Sequence, residues 1–118
     1  MIRLFAALCL ALLTSGCLTT ISHYQLSQFN RGMSAPEVSE KLKKPPLISI
    51  PVVADGRSFV FDRYFLNNGM GADIYYLAYE KNGLVFWGYV SEFRRHPDAT
   101  LGRAVDQAIL VPTPAATR

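Results

Sequence analysis

Ten apolar residues, Leu4 to Leu13, follow a lone Arg3 and run into Thr14-Ser15-Gly16-Cys17. This feature decides how much of the chain is left to fold. A positive charge, then roughly 7–15 apolar residues, then small residues is the build of a secretory signal. The run is shorter than the ~20 residues that a bilayer-crossing helix needs. A cysteine directly after the small residues marks the lipoprotein kind, with Thr14 where leucine is more usual. Residues 1–16 are therefore expected to be cleaved between Gly16 and Cys17, and Cys17 to carry the lipid. One acyl chain binds a membrane only marginally, whereas two or three hold a protein there. Leu18, and not aspartate, follows the cysteine, so the expected destination is the outer membrane, with the domain facing the periplasm.

The same reading removes both cysteines from the folding problem. Cys9 leaves with the signal and Cys17 is used by the lipid. The remaining chain has no thiol to form a disulfide, although the periplasm permits one. About a hundred residues must then be held by their core alone, which suits one small domain. The formal charge of +3 falls to +2 without Arg3. That balance gives no argument for nucleic acid.

Residues 17–24 read as a tether. Ile21, Tyr24, Leu26 and Phe29 form an imperfect helical stripe, and a first short helix is expected near Ser22–Asn30. A second helix has a sharper start. Ser34-Ala35-Pro36-Glu37 has the spacing of a capping box, in which Ser34 accepts from the Glu37 N–H and Glu37 reaches back to the Ser34 N–H. Met33 and Val38 flank it as a hydrophobic staple, Val38 and Leu42 share one face, and Pro45-Pro46 ends it.

Strand-like segments follow. Leu47–Ala54 contains Pro51, which marks an edge or bulge. Asp55-Gly56 is a turn signal, Ser58–Leu66 is aromatic-rich, and Asn67–Gly71 reads as a mobile loop. Ile74–Glu80 and Leu84–Val90 flank Lys81-Asn82-Gly83 as a hairpin. Asp98 caps a last helix over Ala99–Ile109, and residues 111–118 are expected to be a disordered tail. The expected fold is α+β: two short N-terminal helices on a three- to four-stranded antiparallel meander, plus a C-terminal helix over 98–110.

Gly32-Met33-Ser34, Glu37-Val38, Leu42 and Pro45 resemble the helix–turn signature of the SmpA/OmlA (BamE-like) outer-membrane lipoproteins, and Asn82-Gly83-Leu84-Val85 resembles that family's final hairpin. The similarity covers residues 26–90, so the α+β domain is set at 25–97. Lys43 stands where the family usually has glycine, a position that a lysine is expected to occupy only with φ below zero. The resemblance implies a non-catalytic accessory role in β-barrel assembly, with assembly subunits and anionic phospholipid as partners.

Residue chemistry points the same way. His23 and His96 have no nucleophile–base–orienter set around them. No paired histidines or cysteines suggest a metal, and no cofactor is implied. Gly69 and Gly71 join two strands and do not open a helix, so a phosphate loop is not expected.

The strands are apolar on both faces, which a half-wetted antiparallel sheet should not be. Alternation puts Leu84 and Phe86 on one face, and Trp87 and Tyr89 on the other. Either the last helix covers the second face, or Tyr75, Tyr76, Tyr79, Trp87 and Tyr89, with Arg94 and Arg95, form a partner surface. Arg63 falls on the core side of its strand, where an ion pair with Asp62 or Glu80 is one reading. The functional expectation is an interaction module in envelope assembly and maintenance. The alternative is an enzyme inhibitor or lipid-binding domain of the same fold.

Overall fold

The computed structural model describes residues 20–114. Gly16 and Cys17 lie outside them. The fold is α+β. In chain order the elements are β1 (Thr20–Ile21), α1 (His23–Leu26), α2 (Ala35–Leu42), β2 (Ile48–Ala54), β3 (Arg57–Asn67), β4 (Ala72–Glu80), β5 (Gly83–Gly88), α3 (Val90–Arg94) and α4 (Ala99–Ala108).

The long β3 is the spine. Along one edge it pairs antiparallel with β4, from Phe59↔Glu80 to Asn67↔Ala72. Its other edge is shared: β2 pairs antiparallel over Arg57–Arg63, and β1 pairs parallel at Phe65 and Leu66. The expected tether therefore ends inside the sheet, with Ile21 buried. The parallel β1 makes the sheet mixed and not a pure meander. Pro51 sits in β2, which has β3 on one side only, as an edge proline should.

Two turns have the same build. Asp55 and Gly56 have φ of 53° and 76°, and Lys81 and Asn82 have 52° and 64°. Two consecutive residues with positive φ form the type I′ turn, whose twist matches that of a two-residue hairpin. The second turn is thus Lys81-Asn82, and Gly83 already belongs to β5.

Both faces of the sheet are covered. On one lie Ile21, Phe29, Met33, Val38 and Leu42 from the N-terminal segment, packed on Tyr64, Leu66, Tyr75, Leu77, Tyr79 and Leu84. On the other lie Phe93, Leu101, Ala104, Val105 and Ala108, packed on Ile50, Val52, Phe59, Phe61, Tyr76 and Ala78. The C-terminal helix thus resolves the two-faced apolarity. One expected facing is corrected. A bulge between Ala78 and Tyr79 pairs Ala78 with Phe86 but Tyr79 with Leu84, so Val85 is the extra residue. Leu84 and Phe86 therefore face opposite layers, because a bulge shifts the alternation by one.

The helix starts follow the sequence and the ends depart from it. Ser22 and Gln25 form a capping box, and α1 is one turn long, shorter than expected. Ser34 Oγ accepts from the Glu37 N–H, but the Glu37 carboxylate accepts from the Ser34 hydroxyl at 3.1 Å and not from its N–H. Lys43 ends α2 with φ 60°, against the expected negative value. A left-handed residue closes the last turn there, and the Cβ crowding is borne by a lysine where glycine has none.

Charge joins α4 to the hairpin ends. Arg57 donates to Glu80 at 2.8 and 2.9 Å and to Asp98 at 2.9 and 3.1 Å. Arg103 and Thr100 donate to Asp55. The hydrogen bonds from Arg57 hold the Glu80 and Asp98 carboxyls below the usual carboxylate range, and those from Arg103 and then Thr100 do so for Asp55.

Two tests follow from this architecture. Lys43→Gly is expected to raise stability by about 0.5–1 kcal/mol, read by urea denaturation, because the left-handed position then carries no Cβ. The three carboxyls have folded pKa values below their unfolded ones. Their contribution is complete above pH about 4–5 and is lost as the pH falls through the folded values. Arg57→Met is expected to flatten the fall in melting temperature between pH 5 and pH 2. An unchanged slope excludes the network as its source.

Candidate functional site

The two layers do not cover β2 and β3 equally. On the C-terminal face α4 lies along β2. On the N-terminal face the cover stops at the start of α2, and the hairpin end of β2–β3 is left bare. Val53 is 64 % exposed and Val60 40 % exposed. Between this bare end, the first turn of α2 and the Lys81-Asn82 turn runs a groove of about 600 Å³. Pro51, Val53, Val60, Ala35 and Pro36 form its apolar walls, with Ser34, Ser58, Lys81 and Asn82 at its edge.

Strand alternation explains the walls. Pro51 faces Val60 and Val53 faces Ser58 across the β2–β3 ladder, all on the side away from α4. Gly32 fixes the chain that leads into α2. Its N–H donates to the Leu84 carbonyl, and the Leu84 N–H donates to the Met33 carbonyl, both at 2.8 Å. This clamp brings the chain before α2 against the end of β5. A Cβ on Gly83 would lie 3.3 Å from the Gly32 Cα, and Gly32 has φ 89°, so two glycines permit the approach.

Behind the groove lies a buried polar layer. Tyr79 lines the groove and is 4 % exposed. Among the described residues its hydroxyl has no hydrogen-bond partner, and neither has that of Tyr64. Asp62, also buried, accepts from Ser49 Oγ at 2.6 Å. Burial raises the Asp62 carboxyl above its ordinary range and pushes the Tyr64 hydroxyl up to about 12. The Tyr79 hydroxyl is raised by burial and then by the neighbouring Asp62 and Tyr64. Burial thus works against ionisation of all three groups. The arrangement is an apolar trough with a buried polar layer behind it, which suits the binding of an apolar group.

The residues expected to form a partner surface are divided by the structure. Tyr75, Tyr76 and Tyr79 are buried, because the helical layers press on both sides of β4. They are core residues and not an exposed patch. Trp87 packs edge-on to Phe29 at 5.7 Å, and Tyr89 edge-on to Tyr75 at 5.1 Å, each only partly buried. Arg94 is exposed and pairs with Asp106 at 2.8 Å, and Arg95 is exposed beside it. Neither lies in the groove. In the helix–turn segment, Gly32 holds the clamp, Met33, Val38 and Leu42 enter the core, Ser34 and Glu37 cap α2, and Pro45 is exposed beyond it.

The groove itself was not expected from the sequence. Its signal was present in Pro51, Val53 and Val60, apolar residues at positions that alternate with the buried Ile50, Val52, Phe59 and Phe61. Which stretch of the second face stays bare depends on where α2 begins in space, and periodicity does not carry that.

Comparison with protein-family models, curated proteins and solved structures found no match.

A buried hydroxyl without a partner costs about 1–3 kcal/mol. Tyr79→Phe is therefore expected to raise stability by roughly 1 kcal/mol or more in urea denaturation. A loss of stability would show that the hydroxyl is bonded in solution.

Proposed function

We propose that this chain is an outer-membrane lipoprotein, anchored through lipid on Cys17, whose periplasmic domain is a non-catalytic interaction module in envelope assembly and maintenance. The observation that carries the reading is the separation of the two ends of β3. Thr20 pairs with Phe65, and the groove lies at Ser58 and Val60. Seven residues of strand at about 3.3 Å each put some 20 Å between them. Three residues of chain reach at most about 11 Å, so Cys17 stays near Thr20. A lipid there holds the domain by one end and presents the groove away from the bilayer, toward partner proteins. The occupant that fits is an apolar polypeptide segment, its side chains on Pro51, Val53 and Val60.

The resemblance to the SmpA/OmlA lipoproteins supports the same reading. Its two sequence stretches, around Gly32-Met33 and Gly83-Leu84, meet through the backbone clamp. Subunits of the β-barrel assembly machinery are the proposed partners. An inhibitor differs in one respect, because it works without the anchor.

The test uses tagged full-length protein solubilised from membranes, with a photocrosslinking side chain at position 60 and a control at position 74. Crosslinks to assembly subunits from position 60 are expected, and their loss by about tenfold in a Val53→Lys variant that remains in the membrane fraction. Cys17→Ser is expected to leave that fraction and to lose the crosslink. A Cys17→Ser protein that stays membrane-bound rejects the anchor. Full activity of a released Cys17→Ser protein favours the inhibitor reading.

A further inference from the structure

Arg63 sits in the middle of β3, 2 % exposed, on the face covered by α4. Its guanidinium donates four hydrogen bonds. Nε donates to Tyr76 Oη at 3.0 Å, Nη1 to Thr113 Oγ1 at 2.8 Å, and Nη2 to the carbonyls of Ala108 and Val111 at 3.0 and 2.6 Å. Every acceptor is formally neutral. Among the described residues no carboxylate forms an ion pair with it, and the ion pairs there involve Arg57, Arg94 and Arg103. The carbonyls at the end of α4 carry the partial negative charge of a helix C-terminus. That offsets part of the charge and leaves the rest without an anion.

The donors are unevenly used. Guanidinium has five N–H groups and no acceptor, and four are engaged. Tyr76 Oη and Thr113 Oγ1 each accept from Arg63, so each hydroxyl still has its own proton to give. Among the described residues neither proton goes to an acceptor. One N–H and two O–H donors therefore remain around one positive charge.

These three residues line one cavity of about 280 Å³. Its other walls are Ile74, Val90, Ile109, Val111 and Pro112. Ile74 and Ile109, at 42 % and 38 % exposed, stand at its mouth. The cavity thus has a cationic, donor-rich base and apolar sides. Its size admits a small molecule and not a folded partner. Among the described residues no acidic side chain lines it to fill the acceptor role.

We infer that this cavity is a binding site for a small apolar monocarboxylate, its two oxygens taken by Arg63 and Thr113 over the buried Tyr76, and its hydrocarbon part held by Ile74, Val90 and Ile109. A single negative charge matches the single guanidinium. Carboxylate also matches the donor count, since its two oxygens are acceptors only. Charge-assisted bonds of this kind are about twice as strong as neutral ones. Arg63 has two tasks in this arrangement: it fastens the end of α4 to the sheet, and it supplies the charge that selects the ligand. The site is independent of the groove, which opens on the opposite face.

The test is calorimetric titration of the purified full-length chain with hexanoate and benzoate, each against its neutral amide. Saturable binding of the acids is expected, with the amides weaker by about tenfold or more. Thr113→Val is expected to weaken the acids several-fold. Ile109→Trp, at the half-exposed mouth, is expected to abolish binding while the melting curve still shows a cooperative fold. Absence of saturable binding, equal affinity for acid and amide, or unchanged affinity in either variant overturns the site.

Discussion

Every layer of this domain takes its position from β3. It is hydrogen-bonded along both edges, and its side chains point alternately into two cores. A strand that is apolar on both sides cannot leave either face wet at this size, since each exposed aromatic forfeits on the order of 1.5–3 kcal/mol of burial. The chain therefore needs helices before the sheet for one face and helices after it for the other. Arg63 is the point where this demand is most costly. A charge lies between sheet and helix, and it is tolerated because four acceptors meet it, one at the last residue of α4 and one just beyond it. The segment after α4, expected as the start of a disordered tail, is fixed at Val111 and Thr113 for the same reason.

Much of this was legible in the residues. The cap at Ser34, the two turns, the hairpin, the last helix with Asp98 at its start and the inward position of Arg63 all follow from local chemistry. What failed did so where a distant contact decides. The bulge at Val85 turns Leu84 and Phe86 to opposite sides, and nothing in Leu-Val-Phe announces it. Lys43 adopts a left-handed backbone because the following Pro45-Pro46 and β2 must return to the sheet, whatever the residue prefers. Tyr75, Tyr76 and Tyr79 were readable as sheet aromatics, but their burial depends on which helix lies over which strand. The groove is the clearest case. Pro51, Val53 and Val60 look like core residues and become surface because α2 begins too far along to cover them.

The polar groups under α2 also have a common logic. Asp62, Tyr64 and Tyr79 lie in the same layer as Val38, Leu42 and Leu77, where apolar residues would pack without penalty. Their burial favours the uncharged forms, and the only carboxylate among them is satisfied by Ser49. Such a cluster weakens the core that contains it. Structural departures of this kind gather where a fold gives up stability for recognition, and this one borders the groove.

The direction of β3 has one more consequence. The strand is continuous for eleven residues, with the N-terminal entry near one end and both type I′ turns at the other. Anything attached ahead of Thr20 is thereby set at a fixed stand-off from anything bound at the turns. The domain works as a strut whose length is counted in strand residues. Lengthening the chain before Thr20 changes where the strut may swing, and only a change in β3 itself changes its span.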